Sequence, residues 1–203
     1  MSPLRQFFGP SRKDIWRQLS ADIGGRYVDG KLFKASKVEA SHGEWIVTLD
    51  TYAVSTGKVT IVYTRMRAPF MNPGGFRFTV YRHGLFSDMA KWLGMQDVQV
   101  GFEPFDSDFI VKGTDETLLR ALFSKQKIRD LVAAQKDIHL AVKDDEGWFG
   151  TKFPEGVDEL YFNVVGVIKD LDRLKLLYEL FAETLQALCE MGSAYEDHPG
   201  VRL

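Results

Sequence analysis

Ile15, Leu19 and Ile23, with Trp16 beside them, recur at the three-four spacing of one helix face. Ser11 stands three residues before Asp14 as a Ser-x-x-acid start, and Gly24-Gly25 supplies the stop. The spacing therefore predicts an amphipathic helix of about three turns. The period then drops to two. In Glu44–Val54, Trp45, Val47 and Leu49 alternate with Glu44, Thr48 and Asp50, and Lys58–Ala68 follows after Ser55-Thr56-Gly57. Two such runs across a short Gly-containing link predict an antiparallel hairpin. One or two shorter strands are expected before it. Gly74–His83 is the next strand, reached through the turn residues of Ala68–Gly75.

The middle of the chain mixes both periods. Leu85–Gly94 reads as a short helix, and residues 97–113 read as extended. Two short helices follow, one opened by Asp115-Glu116 with Thr114 as its cap, the other from Lys125 to Gln135. Residues 137–144 and 159–168 are strands on either side of a turn. The longest element runs from Asp170 to about Met191, its apolar stripe built on Leu171, Leu174, Tyr178, Phe181, Leu185 and Leu188. Asp170 is its expected cap, and Gly192 closes it. The stripe keeps a heptad spacing for about three repeats, but its width suits a helix lying on a sheet better than a coiled-coil seam.

Strands adjacent in sequence favour α+β over a doubly wound parallel sheet. The expected fold is a largely antiparallel sheet of about seven strands with short helices and a long C-terminal helix packed on it. Residues 1–192 are expected to form a single domain, and 193–203 a flexible tail.

Composition narrows the chemistry. The net charge of −2 gives no general pull toward nucleic acid. One cysteine, Cys189, excludes an intrachain disulfide and a Cys-rich zinc site. No run of about 18 apolar residues offers a membrane span, so the chain is expected to be soluble and cytoplasmic. The four histidines are scattered, with no paired metal-ligand spacing, and no phosphate-binding loop or Gly-x-Ser-x-Gly motif occurs.

Two constellations remain. Phe102–Ser124 carries five acids, Glu103, Asp106, Asp108, Asp115 and Glu116. If its first part is extended, Asp106 and Asp108 face one side about 7 Å apart, where they could share a divalent cation or divide acid and base roles. The rival reading makes them turn residues that bond the local backbone. Arg65, Arg67, Arg77 and Arg82 are the second constellation: paired strands would converge their guanidiniums on an anion. The rival there is a solvated face with cross-strand partners such as Glu44 and Asp50. Lys143–Glu155 fails the alternating acid spacing of a calcium loop and reads as a turn with Trp148 and Phe149 at its tip.

The run from Phe105 through Val132, then Ile138–Phe149, then a final strand and long helix, is similar to a bacterial family, domain of unknown function 3137. The resemblance spans residues 102–188. It implies a fold type, with no active residues to carry over.

The expected function is a non-catalytic module that binds a protein or a small ligand, with no cofactor, no metal and no nucleic acid, as a monomer or homodimer. One alternative is a metal-dependent hydrolase using Asp106 and Asp108. The other is attachment to a membrane surface through Phe7 and Phe8.

Overall fold

A computed structural model describes residues 9–30, 35–84, 95–144, 153–201 and 203. The helix expected over Leu85–Gly94, the Trp148–Phe149 tip and the Phe7–Phe8 pair lie outside the described residues.

The strands are β1 (Arg26–Val28), β2 (Lys37–His42), β3 (Trp45–Ser55), β4 (Thr60–Met71), β5 (Phe78–Arg82), β6 (Gln96–Asp97), β7 (Phe109–Gly113), β8 (His139–Lys143) and β9 (Val157–Val165). They join in one antiparallel sheet, ordered β1-β2-β3-β4-β9-β8-β5-β7-β6. The helices among the described residues are α1 (Arg12–Asp22), α2 (Glu103–Asp108), α3 (Glu116–Ser124), α4 (Gln126–Ala133) and α5 (Leu171–Glu190). The α+β class, the antiparallel sheet and the long C-terminal helix agree with the sequence pattern. The outermost strands, β1 and β6, are short, which limits the open backbone available for pairing with another chain.

One face of the sheet carries the core. Val47 and Leu49 of β3, Met66, Ala68 and Phe70 of β4, Leu160 and Phe162 of β9 and Phe78 of β5 belong to one buried cluster. Trp16 and Leu19 of α1 and Leu177, Leu180, Phe181 and Leu185 of α5 complete it. The expected capping box is present: Ser11 Oγ accepts from the Asp14 N–H at 3.2 Å, and Asp14 accepts from the Ser11 N–H. Trp16 anchors α1 through an Nε1–H bond to the Ile168 carbonyl at 3.2 Å. Asp170 caps α5, its carboxylate accepting from the Arg173 N–H at 3.0 Å.

Three local expectations are corrected. Residues 103–108 are helical: Pro104 sits in the first turn, where its missing N–H needs no partner. The cap of α3 is Asp115, which accepts from the Leu118 N–H at 2.9 Å. Thr114 instead accepts from the Arg77 N–H at 3.1 Å, tying β7's end to β5. A Cβ on Gly113 would come 2.6 Å from Leu119, so only glycine lets α3 pack this close to β7. The C-terminal segment, expected to be a flexible tail, has specific contacts. Ser193 and Ala194 are buried, Tyr195 bridges to Met71, and the Leu203 carbonyl accepts from Lys37 Nζ at 2.6 Å.

Candidate functional site

The second face of the sheet is polar. Antiparallel register fixes which side chains share it: Asp50 stands opposite Arg65, Arg67 opposite Tyr161, Arg65 opposite Asn163, and Lys143 opposite Glu159. Period two places each of these on the side away from the apolar core. The polar residues at alternating positions in β3, β4, β8 and β9 therefore converge on one surface.

Its centre is a charged trio. Arg65 holds Asp50 with two parallel bonds, Nε to Oδ1 and Nη2 to Oδ2, both 2.9 Å. Arg67 adds a bond from Nη2 to Oδ2 at 2.7 Å. Burial works against the charge of Arg65, but the two bonds from Asp50 hold its pKa above the ordinary value. Arg67 is more deeply buried, and burial there outweighs the attraction of Asp50 and lowers its pKa. The different direction at two neighbouring arginines follows from their unequal hold on one carboxylate.

A second chain runs through neutral groups. Asn163 Nδ2 donates to the Tyr52 hydroxyl at 2.9 Å, and the Tyr52 and Tyr161 hydroxyls bond to each other at 3.3 Å. The carbonyl of Asn163 lies 2.8 Å from His139 Nδ1. A carbonyl oxygen only accepts, so the His139 Nδ1 carries the proton. Burial lowers the His139 pKa to about 4, which keeps the imidazole neutral near pH 7. Burial raises the Tyr161 phenol, with Tyr52 adding to the effect. Arg65 also lies over the Tyr52 ring, 5.0 Å from its centroid, and Tyr52 stacks on Tyr63.

Glu159 differs from its neighbours. Its side chain is fully buried, and neither carboxyl oxygen has a hydrogen-bond partner among the described residues. Burial raises its pKa to about 7, against the attraction of Arg67, Lys143 and Arg65. A carboxyl so placed exchanges its proton close to neutrality. Lys143, directly opposite on β8, lies over the Tyr161 ring, its Nζ 3.3 Å from the centroid.

The residues singled out from the sequence fall elsewhere or split up. Asp106 accepts from three backbone N–H groups, those of Val100 and Gly101 at 2.8 Å and of Phe102 at 3.0 Å. It organises the turn before α2, as the rival reading had it. Asp108 lies on the surface and pairs with Arg82 at 3.3 Å. Among the described residues, no group of three or more His, Cys, Asp or Glu is placed to hold a metal ion. The four arginines do not converge. Strands β9 and β8 stand between β4 and β5, so Arg65 and Arg67 bind Asp50 while Arg77 bridges Asp144 at 2.8 Å and Asp158 at 3.4 Å.

An open cleft of about 310 Å³ lies beside β2, lined by Gly24, Gly25, Arg26, Glu39 and Ile46. Its carboxylate is already engaged: Glu39 pairs with Lys37 at 2.6 Å and accepts from Arg26 Nε at 2.7 Å. No helix among the described residues is long and apolar enough to cross a membrane. No family model, curated protein or solved structure matches the chain.

Proposed function

We propose that the protein is a non-catalytic binding module of the cytoplasm that meets a protein partner through the open end of its polar sheet face. The observation that carries this reading is an exposed apolar strip beyond the charged trio. Val54 stands opposite Ile61, and Val165 opposite Tyr63, on the same side as Asp50 and Arg65. Val54 is 44% exposed and Val165 67%. Val59, at the same hairpin end, is exposed as well, and Val62 is exposed on the opposite side of β4. Apolar side chains left exposed on one face of a sheet suit a contact site. The strip is carried on strands and not sunk in a cavity, which suits a protein surface better than a small molecule, whose sites are concave.

The resemblance of residues 102–188 to domain of unknown function 3137 agrees with this reading, because the shared motif is one of packing and not of catalysis. The hydrolase alternative loses its support where Asp106 gives its oxygens to backbone N–H groups.

The test places a photo-crosslinking residue at Val54, at Val165, or at the exposed Asp172 of α5, and irradiates living cells. One adduct of the same mass at Val54 and Val165, absent at Asp172, supports the module. An adduct at twice the chain mass identifies the partner as a second copy. Absence of adducts at both valines, or the same adducts at Asp172, overturns the reading.

A further inference from the structure

The segment after α5 is tied to the body of the protein only at its start. The Ser193 and Ala194 N–H groups donate to the Leu188 carbonyl at 2.9 and 3.1 Å, and the Tyr195 N–H donates to the Met71 carbonyl at 3.2 Å. From Tyr195 to Gly200 every residue is exposed except Pro199, which is buried. The Gly200 N–H donates to His198 Nδ1 at 3.0 Å, and Gly200 has a φ of 69°, a left-handed conformation that bends the chain sharply. Pro199 therefore stands at the tip of a tight turn, pointed into the protein.

What receives it is a groove across β2, β3 and β4 on the polar side of the sheet. Ser41 stands opposite Ile46, Glu39 opposite Thr48, and Thr48 opposite Arg67, with Pro69 two residues further along β4 on the same side. Pro199 and Val201 close over Ile46, Thr48 and Pro69, and the space left is about 10 Å³, room for a single water at most. Beyond them the Leu203 carbonyl accepts from Lys37 Nζ at 2.6 Å. The open cleft of about 310 Å³ begins beside this contact, with Glu39 and Ile46 lining both. The segment thus fills one part of the groove closely and leaves the rest empty among the described residues.

We propose that this groove binds a proline-bearing turn of a partner protein, and that residues 198–203 occupy it in cis as a competitor. The segment itself shows which chemistry fits: a proline ring among Ile46, Thr48 and Pro69, and a backbone carbonyl on Lys37. Proline enters with its φ already fixed, so little freedom is lost on binding. A tethered competitor acts at a high effective concentration, so an outside segment must gain contacts that the resident lacks. The cleft beside Glu39 and Ile46 supplies them. Pro69 lies six residues along β4 from Tyr63, which faces Val165, so the groove is roughly 20 Å from the apolar strip and works without it.

The test uses a fluorescent peptide of residues 195–203, titrated by anisotropy into the full chain as wild type, Pro199→Asp and Val201→Asp. A charge at either buried or half-buried contact expels the resident turn. Both variants should then bind the peptide at least about tenfold more tightly than wild type, whose groove is open for only a fraction of the time. A peptide with Asp in place of its proline should not bind, and Lys37→Ala added to Pro199→Asp should weaken binding. Absence of binding to both variants, or binding that ignores the proline, overturns the proposal. Loss of a cooperative urea transition in both variants overturns it too, because the segment is then part of the fold and not an occupant. Sedimentation of wild type as a dimer that Pro199→Asp converts to monomer gives the groove to a second copy and overturns its assignment to a partner.

Discussion

Replacing Glu159 by glutamine separates the charge of this side chain from its shape, and the structure fixes both the sign and the size of the effect. The ordinary pKa is 4.5, the value expected in the unfolded chain, and burial raises it to about 7 in the fold. Below pH 4.5 both states hold the proton, so the group contributes no difference. As pH rises from there, the unfolded chain loses its proton first, and folding becomes less favourable until the native group ionises near 7. The interval, at about 1.4 kcal/mol per pH unit, amounts to roughly 3 kcal/mol of stability lost by neutral pH. Glutamine cannot ionise and escapes that loss.

The assay is urea denaturation of wild type and Glu159→Gln at several pH values between about 4 and about 8. Groups that titrate equally in both proteins cancel in the difference. An amide in place of a neutral carboxyl adds a pH-independent offset, so the slope and not the intercept carries the result. The difference should favour glutamine progressively from about pH 4.5 and level off above about 7, by roughly 3 kcal/mol. A flat difference would show that Glu159 has an ordinary pKa. A difference that turns against glutamine as pH rises would show a carboxylate already paired with Lys143 or Arg67, and the description of a buried group without partners would be wrong.

Other perturbations read other parts of the same face. His139 should give the opposite limb: its pKa falls from 6.5 to about 4 on folding, so the stability it contributes is lost as pH drops through that window. His139→Gln should flatten the acid side of the pH profile in the same urea assay; an unchanged profile would place the ring in water. Asp50→Ala leaves two guanidiniums without their shared carboxylate and should destabilise by about 3 kcal/mol, measured by urea midpoint. A loss under about 1 kcal/mol would rank the trio with ordinary surface pairs. Asp106→Ala should lower stability by about 2 kcal/mol through its three backbone donors. Native mass spectrometry before and after a chelator should find no metal that depends on Asp106; mass lost with the chelator from wild type but absent from the variant would reinstate a metal site. Phe181→Ala empties a fully buried position in the core and should cost about 4 kcal/mol, by the same denaturation assay.

The fold was legible in the sequence wherever one periodicity ran long enough to declare itself. Ser11 and Asp14 announced α1, Asp170 announced α5, and the alternation through Trp45, Val47 and Leu49 announced β3 as well as the side on which its core would lie. Residues 103–108 failed because six residues give less than two helical turns, and the Phe residues around them fit either period. The site failed for a different reason. The alternation of Arg65 and Arg67 in β4, and of Glu159, Tyr161 and Asn163 in β9, was present in the sequence and indicated a polar second face. Which polar rows become neighbours depends on sheet order, a long-range fact that neither row contains. Placing β4 beside β5 would have gathered four arginines around an anion. The real order inserts β9 and β8 between them, so that Glu159 enters beside Arg67 and Lys143 while Arg77 goes to Asp158. Local pattern set the side chains on their faces; strand order decided that two guanidiniums of the charged centre would share the one carboxylate of Asp50, and that a second carboxyl, Glu159, would be buried beside them with no hydrogen-bond partner among the described residues.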